Sequence, residues 1–584
     1  MGTHWSAAFD GYGQYGTWER LRFGRPIRTY RADSIADVIA VIQNAEQAAE
    51  TGYWACLFLT YEAGPAFDSA LARRDSQGES ALPLAWAGIY DGPLSDPDPP
   101  HSSYELTEWT PRTSKREHAQ AIRAIRRWIE AGHTYQVNYT FPLKAYFEGD
   151  AWSWYRKLAV GQQGGYCAWL DIGDQQVVSA SPELFFKRVG SHILTRPMKG
   201  TSQRGRWLEE DNAYAAKLAA SEKDRAENVM IVDMIRSDLG RIATPGTVSV
   251  PDIFTVERYR GVLQLTSSIE AECAPGTTFL DIMRALFPCG SITGAPKIRT
   301  SEIIRELERR PRGAYTGTIG YIRPGGDCCF NVAIRTAVIE ARSGAVTYGV
   351  GGGITYDSTA KNEYAECVQK ASVLRPQPEF RLLETLRLRH GRYALLEHHL
   401  ERLRTSALYF GFAFDHATVT AALDHARFAA SAYTHRVRLT LDSDGLVDCI
   451  ASQLEHDRRR PWKLTLATQP VDQSNPMLFH KTTDRSIYDT ALATAGEADD
   501  VILWNARGEL TESSRANLVL EMPDGKRWTP PRDAGLLAGT LRHVLLSRET
   551  IRERTLRAND LERARRVWLI NGLRGWIPVE KLKM

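Results

Sequence analysis

The chain has 584 residues, of which 43% are hydrophobic and 24% are charged, and its formal net charge is +3. This length exceeds what one hydrophobic core usually supports and predicts two or three domains. A net charge this small gives no electrostatic reason to expect nucleic acid or a membrane surface as a partner.

The cysteine and apolar patterns exclude two further classes of protein. The eight cysteines are scattered, apart from the neighbours Cys328 and Cys329, and no C-x-x-C pair suggests a zinc ribbon or a redox motif. Residues Met1 to Asp10 hold no apolar run flanked by basic residues, and no stretch approaches the ~20 apolar residues that a membrane helix needs. We therefore expect a cytoplasmic protein with reduced, mostly buried thiols.

The first helix predicted along the chain runs from Ser114 to Ala131. Ser114 and Glu117 fit an S-x-x-E capping box, isoleucines three and four residues apart form one apolar face, and Gly132 ends the helix. The later elements of this domain are predicted as helices at Lys223–Leu239 and Ala360–Leu374 and strands at Tyr315–Ile322, Asn331–Ile339 and Thr347–Ile354, the first two strands being joined by the turn Pro324–Gly326. This mixture predicts an α+β domain.

The chain changes character at the segment Leu374–Phe380, which contains two prolines. Proline cannot continue the helix that precedes it, and a new strand-like run begins at Arg381. We predict a domain boundary near Gln377, with one domain at residues 1–376 and another at residues 377–584.

Two pairs of carboxylates are spaced three residues apart on predicted helices. Asp224 and Glu227 lie on one helix, Glu363 and Glu366 lie on another, and Lys370 follows one turn later. This spacing puts each pair on one helix face, where a divalent cation such as Mg²⁺ would relieve the repulsion. The alternative from the pattern alone is a solvated acidic face.

Six segments of the first domain carry distinctive motifs, and these are RAENVMIVDMIRSDLGRI (Arg225–Ile242), FPCGSITGAPK (Phe287–Lys297), GAYTGTIGY (Gly313–Tyr321), FNVAIRTA (Phe330–Ala337), GGGI (Gly351–Ile354) and EYAECVQKA (Glu363–Ala371). In this order they resemble the signatures of the chorismate-utilising enzymes. This family includes component I of anthranilate synthase and of aminodeoxychorismate synthase, as well as isochorismate and salicylate synthases. The resemblance implies a fold with a large antiparallel β core flanked by helices.

The resemblance assigns the carboxylates to Mg²⁺ and other residues to chorismate. Glu227 and Glu366 would hold the ion, with Glu363 and Asp224 in support, and the ion would bind the ring carboxylate of chorismate. The residues that the resemblance places against the substrate are Arg335 and Tyr315 at the enolpyruvyl carboxylate, Gly351 through its backbone, and Ser291 and Lys370 in the same pocket.

Four positions bear on which reaction of the family this domain catalyses. The resemblance implies that Lys199 in RPMKGT marks aminodeoxychorismate synthesis, since anthranilate and salicylate synthases carry alanine there. A neutral lysine can attack C2 of chorismate as the 4-hydroxyl leaves, before ammonia enters at C4. Glu183 in SPELF matches the general acid that protonates this hydroxyl. Gln136 stands where water-adding members have a lysine base, which disfavours isochorismate and salicylate synthesis. Gln264 occupies a position that is usually histidine, a change that a pyruvate-retaining product would tolerate.

Four segments of the second domain carry distinctive motifs, and these are ETLRLRHGRYALLEHHLERL (Glu384–Leu403), LFHKTTDRSIYD (Leu478–Asp489), LTESSRANLVL (Leu510–Leu520) and LLAGTLR (Leu536–Arg542). In this order they resemble the fold-type-IV pyridoxal-phosphate enzymes, above all 4-amino-4-deoxychorismate lyase. The early strand region of this domain is shorter than is usual in that family.

The resemblance implies a role for each residue that would hold pyridoxal phosphate. Lys481 would be the Schiff-base lysine and the base of the elimination, and Glu512 would face the pyridine nitrogen. Arg402 would bind the phosphate, together with the backbone of Thr540 and Leu541 at the start of a predicted helix behind a glycine.

The partners follow from what the chain holds and lacks. No G-x-C-x-G nucleophile loop or Cys/His/Glu triad of a glutaminase is recognised in the sequence, so ammonia is expected from a separate glutamine amidotransferase subunit or from free ammonium. Fold-type-IV enzymes commonly dimerise, so a homodimer through the second domain is a further expectation.

Three hypotheses about the function of the whole chain are compatible with the sequence. The first is a bifunctional enzyme that converts chorismate to 4-aminobenzoate through aminodeoxychorismate. The second is anthranilate synthase component I joined to a transaminase or to an inactive pyridoxal-phosphate-like domain, which Lys199 disfavours. The third is a catalytically inactive scaffold that recruits the amidotransferase, which the presence of Glu183, Lys481 and Glu512 disfavours.

Overall fold

A computed structural model describes residues 5–12, 18–74, 82–162, 165–259, 261–371, 374, 379–429, 433–454 and 460–580. The chain divides into two compact units. The first unit comprises Met1–Gln203 and Ala215–Gln377, and the second comprises Arg204–Tyr214 and Pro378–Met584. The predicted boundary at Gln377 itself lies outside the described residues.

The first unit is a mixed α+β fold. Its strands are β1 (Ala7–Tyr12), β2 (Trp18–Phe23), β3 (Arg28–Ala32), β4 (Trp54–Leu59), β5 (Ala85–Tyr90), β6 (Tyr104–Leu106), β7 (Thr110–Pro111), β8 (Gln136–Gly149), β9 (Tyr166–Asp171), β10 (Gln175–Ser181), β11 (Leu184–Val189), β12 (His192–Arg196), β13 (Met198–Gln203), β14 (Ser249–Arg258), β15 (Val262–Glu272), β16 (Gly294–Ala295), β17 (Thr318–Ile322), β18 (Cys328–Val332), β19 (Thr336–Glu340) and β20 (Ala345–Ile354). Its helices are α1 (Ile35–Glu50), α2 (Lys115–Glu130), α3 (Ala151–Gln162), α4 (Leu208–Ala219, whose first part belongs to the second unit), α5 (Glu222–Gly240), α6 (Phe279–Leu286), α7 (Lys297–Leu307) and α8 (Ala360–Ala371).

These strands form two antiparallel sheets, each with ten strands over the described ranges. The first sheet has the order β16-β8-β20-β19-β10-β9-β1-β2, and β6 and β7 also pair with β8. The second has the order β13-β15-β12-β11-β18-β17-β4-β5-β3, and β14 pairs with β15. Apolar side chains of α1, α5 and α6 pack on the second sheet around the fully buried Leu57, Phe186 and Phe330. This architecture confirms the predicted α+β fold with a large antiparallel core.

Helix α2 has the capping box, the apolar face and the glycine after its end that the sequence predicts. The Ser114 hydroxyl accepts from the Glu117 N–H at 3.2 Å, and the Glu117 carboxylate accepts from the Ser114 N–H at 2.9 Å. Ile122 and Ile125 are buried below the helix, and Gly132 follows its end with a φ of 74°. The predicted capping box and apolar face are therefore confirmed.

The predicted strand Asn331–Ile339 is wrong as a single element. The chain forms β18 in the second sheet and then β19 in the first sheet. Between them Arg335 adopts a φ of 51°, a left-handed conformation that an unbroken strand cannot contain. In the same way the predicted strand Tyr315–Ile322 begins only at Thr318, because Thr316 has a φ of 64°.

The second unit is also mixed α+β. Its strands are β21 (Leu382–Arg389), β22 (Arg392–Tyr393), β23 (His435–Leu441), β24 (Val447–Gln453), β25 (Leu464–Leu466), β26 (Asp500–Trp504), β27 (Leu510–Ser513), β28 (Asn517–Glu521), β29 (Arg527–Thr529), β30 (Arg552–Glu553), β31 (Arg566–Asn571) and β32 (Gly575–Pro578). Its further helices are α9 (Leu396–Phe410), α10 (His416–Ala429), α11 (Ser486–Ala493), α12 (Thr540–Ser547) and α13 (Ala558–Arg563).

These strands form two sheets. Over the described residues a four-stranded sheet has the order β22-β21-β23-β24, and β25 to β32 form the other sheet. Leu386 and Val437 of the smaller sheet pack against Leu403 of α9 and Leu423 of α10. In neither unit does the described part of the chain contain a helix with the length and apolarity needed to span a bilayer.

Candidate active sites

Lys199 and Glu183 lie close enough in the first unit for their charges to interact, although they belong to different segments of the chain. Glu183 lies in the short link between β10 of the first sheet and β11 of the second, and it is 3% exposed. Lys199 lies at a register shift between β13 and β15, next to Gly200 with a φ of 92°. The Ser291 hydroxyl donates to Glu183 Oε1 at 2.7 Å. The structure thus brings together the predicted acid, the predicted nucleophile and a predicted substrate contact.

The protonation states of this pair suit an acid and an amine nucleophile. Burial raises the pKa of Glu183 to about 7, although the bond from Ser291 and the charge of Lys199 act against the rise. Burial lowers the pKa of Lys199, while Glu183 and Glu227 oppose the fall and Lys370 adds to it. Near neutral pH, Glu183 therefore holds a proton in much of the population, and a neutral Lys199 amine is easier to form than on a surface lysine.

Gln136 borders the same pair from β8. Its side chain is fully buried, and neither the amide oxygen nor the amide nitrogen has a hydrogen-bond partner within the described part of the structure. A Cβ atom at Gly353 of β20 would collide with Gln136 Nε2 and would lie 3.2 Å from Lys199 Nζ. An unpaired buried amide is costly, so a ligand that bonds to Gln136 would be favoured here.

Lys370 connects α8 to the glycine-rich end of β20. Its Nζ donates to the Gly351 carbonyl at 2.8 Å and pairs with Glu366 Oε1 at 2.9 Å. A Cβ at Gly352 would lie 3.3 Å from Glu363 Oε2. The predicted residues Gly351, Lys370, Glu363 and Glu366 are therefore neighbours.

The predicted carboxylates of α5 and α8 interact electrostatically in pairs, both within each helix and between Glu227 and Glu363. Burial raises the pKa of Glu227, and the charges of Asp224 and Glu363 raise it further. Burial also raises the pKa of Glu363, with a further contribution from Glu366. Nevertheless, no three His, Cys, Asp or Glu side chains among the described residues are gathered as a ready-made metal site.

Arg335 and Tyr315 share a neighbour in Tyr348 on β20. Burial lowers the pKa of Arg335, and Tyr348 and Tyr259 oppose this effect. Burial raises the pKa of Tyr315, and Tyr348 adds to the rise. The structure thus places both residues beside the strand that ends in Gly351–Ile354, and their contact with an enolpyruvyl carboxylate stays a prediction.

The second unit contains its own half-buried lysine and buried carboxylate. Burial, with help from Arg402, lowers the pKa of Lys481 to about 8. Burial raises the pKa of Glu512 to about 7, and its carboxylate accepts from the Tyr488 hydroxyl at 2.8 Å and from Asn517 Nδ2 at 3.0 Å. The Leu537 N–H also donates to it at 3.1 Å, so three donors fix the Glu512 carboxyl group.

Two of the three predicted phosphate contacts, Thr540 and Leu541, are neighbours at the start of one helix. Thr540 begins α12 behind Gly539, as predicted, and Leu541 follows it in the first turn. Thr540 Oγ1 lies 3.3 Å from His399 Nε2, and a Cβ at Gly572 would lie 2.8 Å from Thr540 Oγ1. This close approach of backbone to a helix N-terminus is suited to an anion.

Arg402 binds the carboxylate of Glu384, which was not predicted as a site residue. Its Nε and Nη2 donate to Glu384 at 2.8 and 2.7 Å, and His399 Nδ1 lies 2.6 Å from the same carboxylate. Burial alone would raise the pKa of Glu384, but Arg402 and His399 lower it to about 2. Phosphate binding by Arg402 stays a prediction, and Glu384 orients its guanidinium group.

Sequence models of known families match both parts of the chain. The model described as chorismate binding enzyme matches residues 4–376. The chain belongs to the chorismate binding enzyme family. A second model, amino-transferase class IV, matches residues 381–582 of this chorismate binding enzyme and confirms the expected class of its second domain.

Individual relatives agree with this family assignment. Aminodeoxychorismate synthase component 1 of Salmonella typhimurium is 40% identical over 280 residues, which cover 48% of this chain and 61% of that protein. The chain thus spans less than two thirds of that relative's length. The Klebsiella aerogenes protein of the same name is 37% identical over 55% of this chain and 76% of its own. The crystal structure of anthranilate synthase component I from Streptococcus pneumoniae has a TM-score of 0.51 and 25% identity, over 63% of this chain and 90% of that one.

Both implied cofactors fit the donors that this chorismate binding enzyme presents. Glu227 is repelled by Asp224 and Glu363, and Glu363 by Glu366; this repulsion suits Mg²⁺, which commonly takes one or two carboxylates and completes its shell with water and substrate oxygens. Pyridoxal phosphate suits the second unit, where an amine of lowered pKa, a buried carboxyl and a helix N-terminus occur together.

Arg312 was not predicted as a site residue, yet it binds the main chain of two segments that line the first site. Arg312 Nη1 donates to the Ile292 carbonyl at 3.0 Å and Nη2 to the Asn138 carbonyl at 2.6 Å, beside Ser291 and Gln136 respectively. Its Nε and Nη2 also bind the buried Glu308 at 2.9 and 2.7 Å. The available signal was an acidic and a basic residue four apart, directly before the motif GAYTGTIGY.

Proposed function

We propose that this chain converts chorismate and ammonia to 4-amino-4-deoxychorismate in its first domain, and then to 4-aminobenzoate and pyruvate in its second. The observation that carries the proposal is the approach of Lys199 to the buried Glu183, with Ser291 bonded to that acid. A nucleophilic amine beside a proton-holding carboxyl provides what loss of the chorismate 4-hydroxyl requires.

In the first step Lys199 attacks C2 of chorismate as Glu183 protonates the departing 4-hydroxyl, which leaves as water. Ammonia then adds at C4 and the Lys199 amine leaves C2, so the enolpyruvyl group is retained. Gln136 supplies an amide whose hydrogen-bonding groups a bound substrate can satisfy. Mg²⁺, held by Glu227 and Glu366 with Glu363, would neutralise the ring carboxylate of chorismate.

In the second domain Lys481 would transfer one proton, and Glu512 would stabilise the positive charge of the pyridine nitrogen. When bound, pyridoxal phosphate supplies an electron sink for the elimination of pyruvate. The Lys481 amine, with a pKa of about 8, would take the proton from C4 of aminodeoxychorismate and deliver it to the departing enolpyruvyl group, which leaves as pyruvate while the ring becomes aromatic. Glu512 would keep the pyridine nitrogen protonated, and Thr540 and Leu541 would bind the phosphate.

The proposal includes the surroundings of these reactions. Residues 1–376 and 377–584 are proposed as the two functional domains. A glutamine amidotransferase subunit is proposed as the ammonia source, which agrees with the name "component 1" of the Salmonella and Klebsiella relatives. All eight cysteines are free, which agrees with a reducing compartment such as the cytoplasm. A homodimer through the second domain is a further prediction, and sedimentation analysis would test it.

Product analysis tests the proposed function. The purified chain is incubated with chorismate, Mg²⁺, ammonium and pyridoxal phosphate, and the aromatic product is compared with standards by chromatography. We expect 4-aminobenzoate and one equivalent of pyruvate. Anthranilate as the product would refute the role of Lys199 and favour the alternative suggested by the anthranilate synthase relative. Accumulation of aminodeoxychorismate without 4-aminobenzoate would refute the lyase assignment alone.

A further inference from the structure

The segment Arg204–Tyr214 belongs to the second unit, although it lies within the residues that match the chorismate binding enzyme model. It follows directly after β13, the strand that carries Lys199. Within the second unit it contacts the end of α9 and the residues just before Lys481. A piece of the first family's sequence is therefore built into the surroundings of the second domain's lysine.

Internal bonds give this segment one fixed shape. The Arg204 guanidinium donates to both carboxylate oxygens of Asp211, at 2.6 and 3.1 Å, and the Gly205 N–H donates to the same group at 2.9 Å. The Asp211 side chain is fully buried. A Cβ atom at Gly205 would collide with the backbone nitrogen of Asp211, so only glycine allows this turn.

The segment is bonded to α9 through Tyr409. Arg204 Nη2 donates to the Tyr409 carbonyl at 2.7 Å, and the Tyr409 hydroxyl donates to the Gly205 carbonyl at 2.7 Å. The Arg204 guanidinium also lies 4.4 Å above the Tyr409 ring. Further along, the ring of Trp207 lies 5.0 Å from that of Phe479, two residues before Lys481.

His480, the residue before Lys481, is held from two sides. Its Nε2 lies 3.2 Å from the Arg206 carbonyl, and its Nδ1 lies 2.9 Å from the Ser406 hydroxyl. A carbonyl only accepts, so Nε2 carries the hydrogen and Nδ1 of the neutral ring accepts from Ser406. Burial lowers the pKa of His480 to about 3, which keeps the ring in this neutral form.

We propose that Arg204–Tyr214 is a positioning element of the pyridoxal-phosphate site, which fixes the main chain at Lys481 through the bond from His480 to the Arg206 carbonyl. The proposal rests on the proposed role of Lys481. The Lys481 carbonyl is bound from its other side by the Leu383 N–H at 2.9 Å. With both attachments made, the main chain from which the Lys481 side chain extends is held in one place, and small displacements of a reacting group reduce the rate steeply.

Four variants of the full-length chain separate this positioning role from general stability. His480→Leu removes both ring bonds, whereas His480→Gln retains a donor for the Arg206 carbonyl. Gly205→Ala displaces the segment itself. Gly240→Ala is the matched control, because a Cβ there meets no atom within 4 Å. The readouts are the absorbance spectrum of bound pyridoxal phosphate, the pH midpoint of that spectrum, kcat and KM for pyruvate release from aminodeoxychorismate, and the rate of chorismate consumption.

We expect His480→Leu and Gly205→Ala to shift the pH midpoint of the spectrum and to lower kcat for pyruvate release by about tenfold or more. We expect His480→Gln to restore most of both quantities, and Gly240→Ala to match the parent chain. Chorismate consumption should stay within about twofold of the parent in all four variants. If His480→Leu or Gly205→Ala does not fold, as shown by the loss of its thermal unfolding transition, the other of these two variants is compared with Ser406→Ala. Ser406→Ala removes the second ring bond of His480, and the same readouts then test the proposal.

A spectrum, pH midpoint and kcat that are unchanged in His480→Leu and Gly205→Ala would overturn the proposal. An equal loss in His480→Leu and His480→Gln would also overturn it, because the bond to the Arg206 carbonyl would then have no special role. Failure of the proposed function looks different: the parent chain itself would show no pyridoxal-phosphate spectrum and would release no pyruvate.

Discussion

Replacing Glu183 by glutamine should stabilise the folded protein at alkaline pH while it removes the proposed catalytic acid. Glu183 is 3% exposed, and its pKa in the folded protein is about 7, compared with an ordinary value of 4.5. The folded state therefore binds this proton more tightly than the unfolded chain does. Stability contributed by the protonated carboxyl is lost as the pH rises from about 4.5 to about 7. Glutamine keeps the shape and the acceptor for Ser291 but does not titrate.

The size of the effect follows from the two pKa values. A difference between 4.5 and about 7 corresponds to about 3 kcal/mol at pH values above both. At pH 5 most of that difference has not yet developed, because the unfolded chain is still partly protonated. We therefore compare the free energy of unfolding of Glu183→Gln with that of the parent, and call the difference the excess of the variant. This excess should grow by about 2 to 3 kcal/mol between pH 5 and pH 8.

Urea unfolding followed by tryptophan fluorescence, at pH 5 and at pH 8, measures this excess. Glu130→Gln is the matched control, since Glu130 is an exposed residue at the end of α2 and its variant should follow the parent at both pH values. Chorismate turnover by Glu183→Gln should fall by about 10²- to 10⁴-fold. An excess that does not change with pH would refute the view that Glu183 holds a proton in the folded protein near neutral pH.

Three further predictions concern the first domain. Lys199→Ala should lower amination of chorismate by about 10³-fold or more, whereas the exposed Lys217→Ala should leave it unchanged; comparable rates in both would contradict the nucleophile assignment. Arg312→Met should destabilise the first unit by about 3 to 5 kcal/mol in urea unfolding, because it leaves Glu308 buried without its partner. Adding Glu308→Leu should recover part of that loss, and a purely additive double variant would contradict the pairing. Glu366→Gln should raise the Mg²⁺ concentration for half-maximal rate by about tenfold; an unchanged Mg²⁺ dependence would contradict its place in the metal site.

Local elements were predictable because their signals lie within a few neighbouring residues. The capping box at Ser114 and the start of α12 at Thr540 depend on side chains and a glycine within one helical turn. The approach of Lys199 to Glu183 was implied only by resemblance to a family, since no spacing rule places a strand bulge against a link between two sheets.

Other features depend on contacts that a linear pattern does not encode. The apolar pattern at Asn331–Ile339 predicts one strand. In the structure the chain turns at Arg335 and passes from one sheet to the other. Arg312 resembles a surface charge in the sequence, and only the fold shows it bonded to Ile292 and Asn138. The membership of Arg204–Tyr214 in the second unit likewise follows from tertiary packing.

The most direct test of the central claim separates the two reactions in one chain. Lys481→Ala removes the proposed proton-transferring lysine of the second domain and leaves the first domain's residues unchanged. With chorismate, Mg²⁺ and ammonium, we expect this variant to accumulate 4-amino-4-deoxychorismate that retains its enolpyruvyl group, identified by mass spectrometry and NMR. Anthranilate, or 4-aminobenzoate formed at the parent rate, would contradict the account.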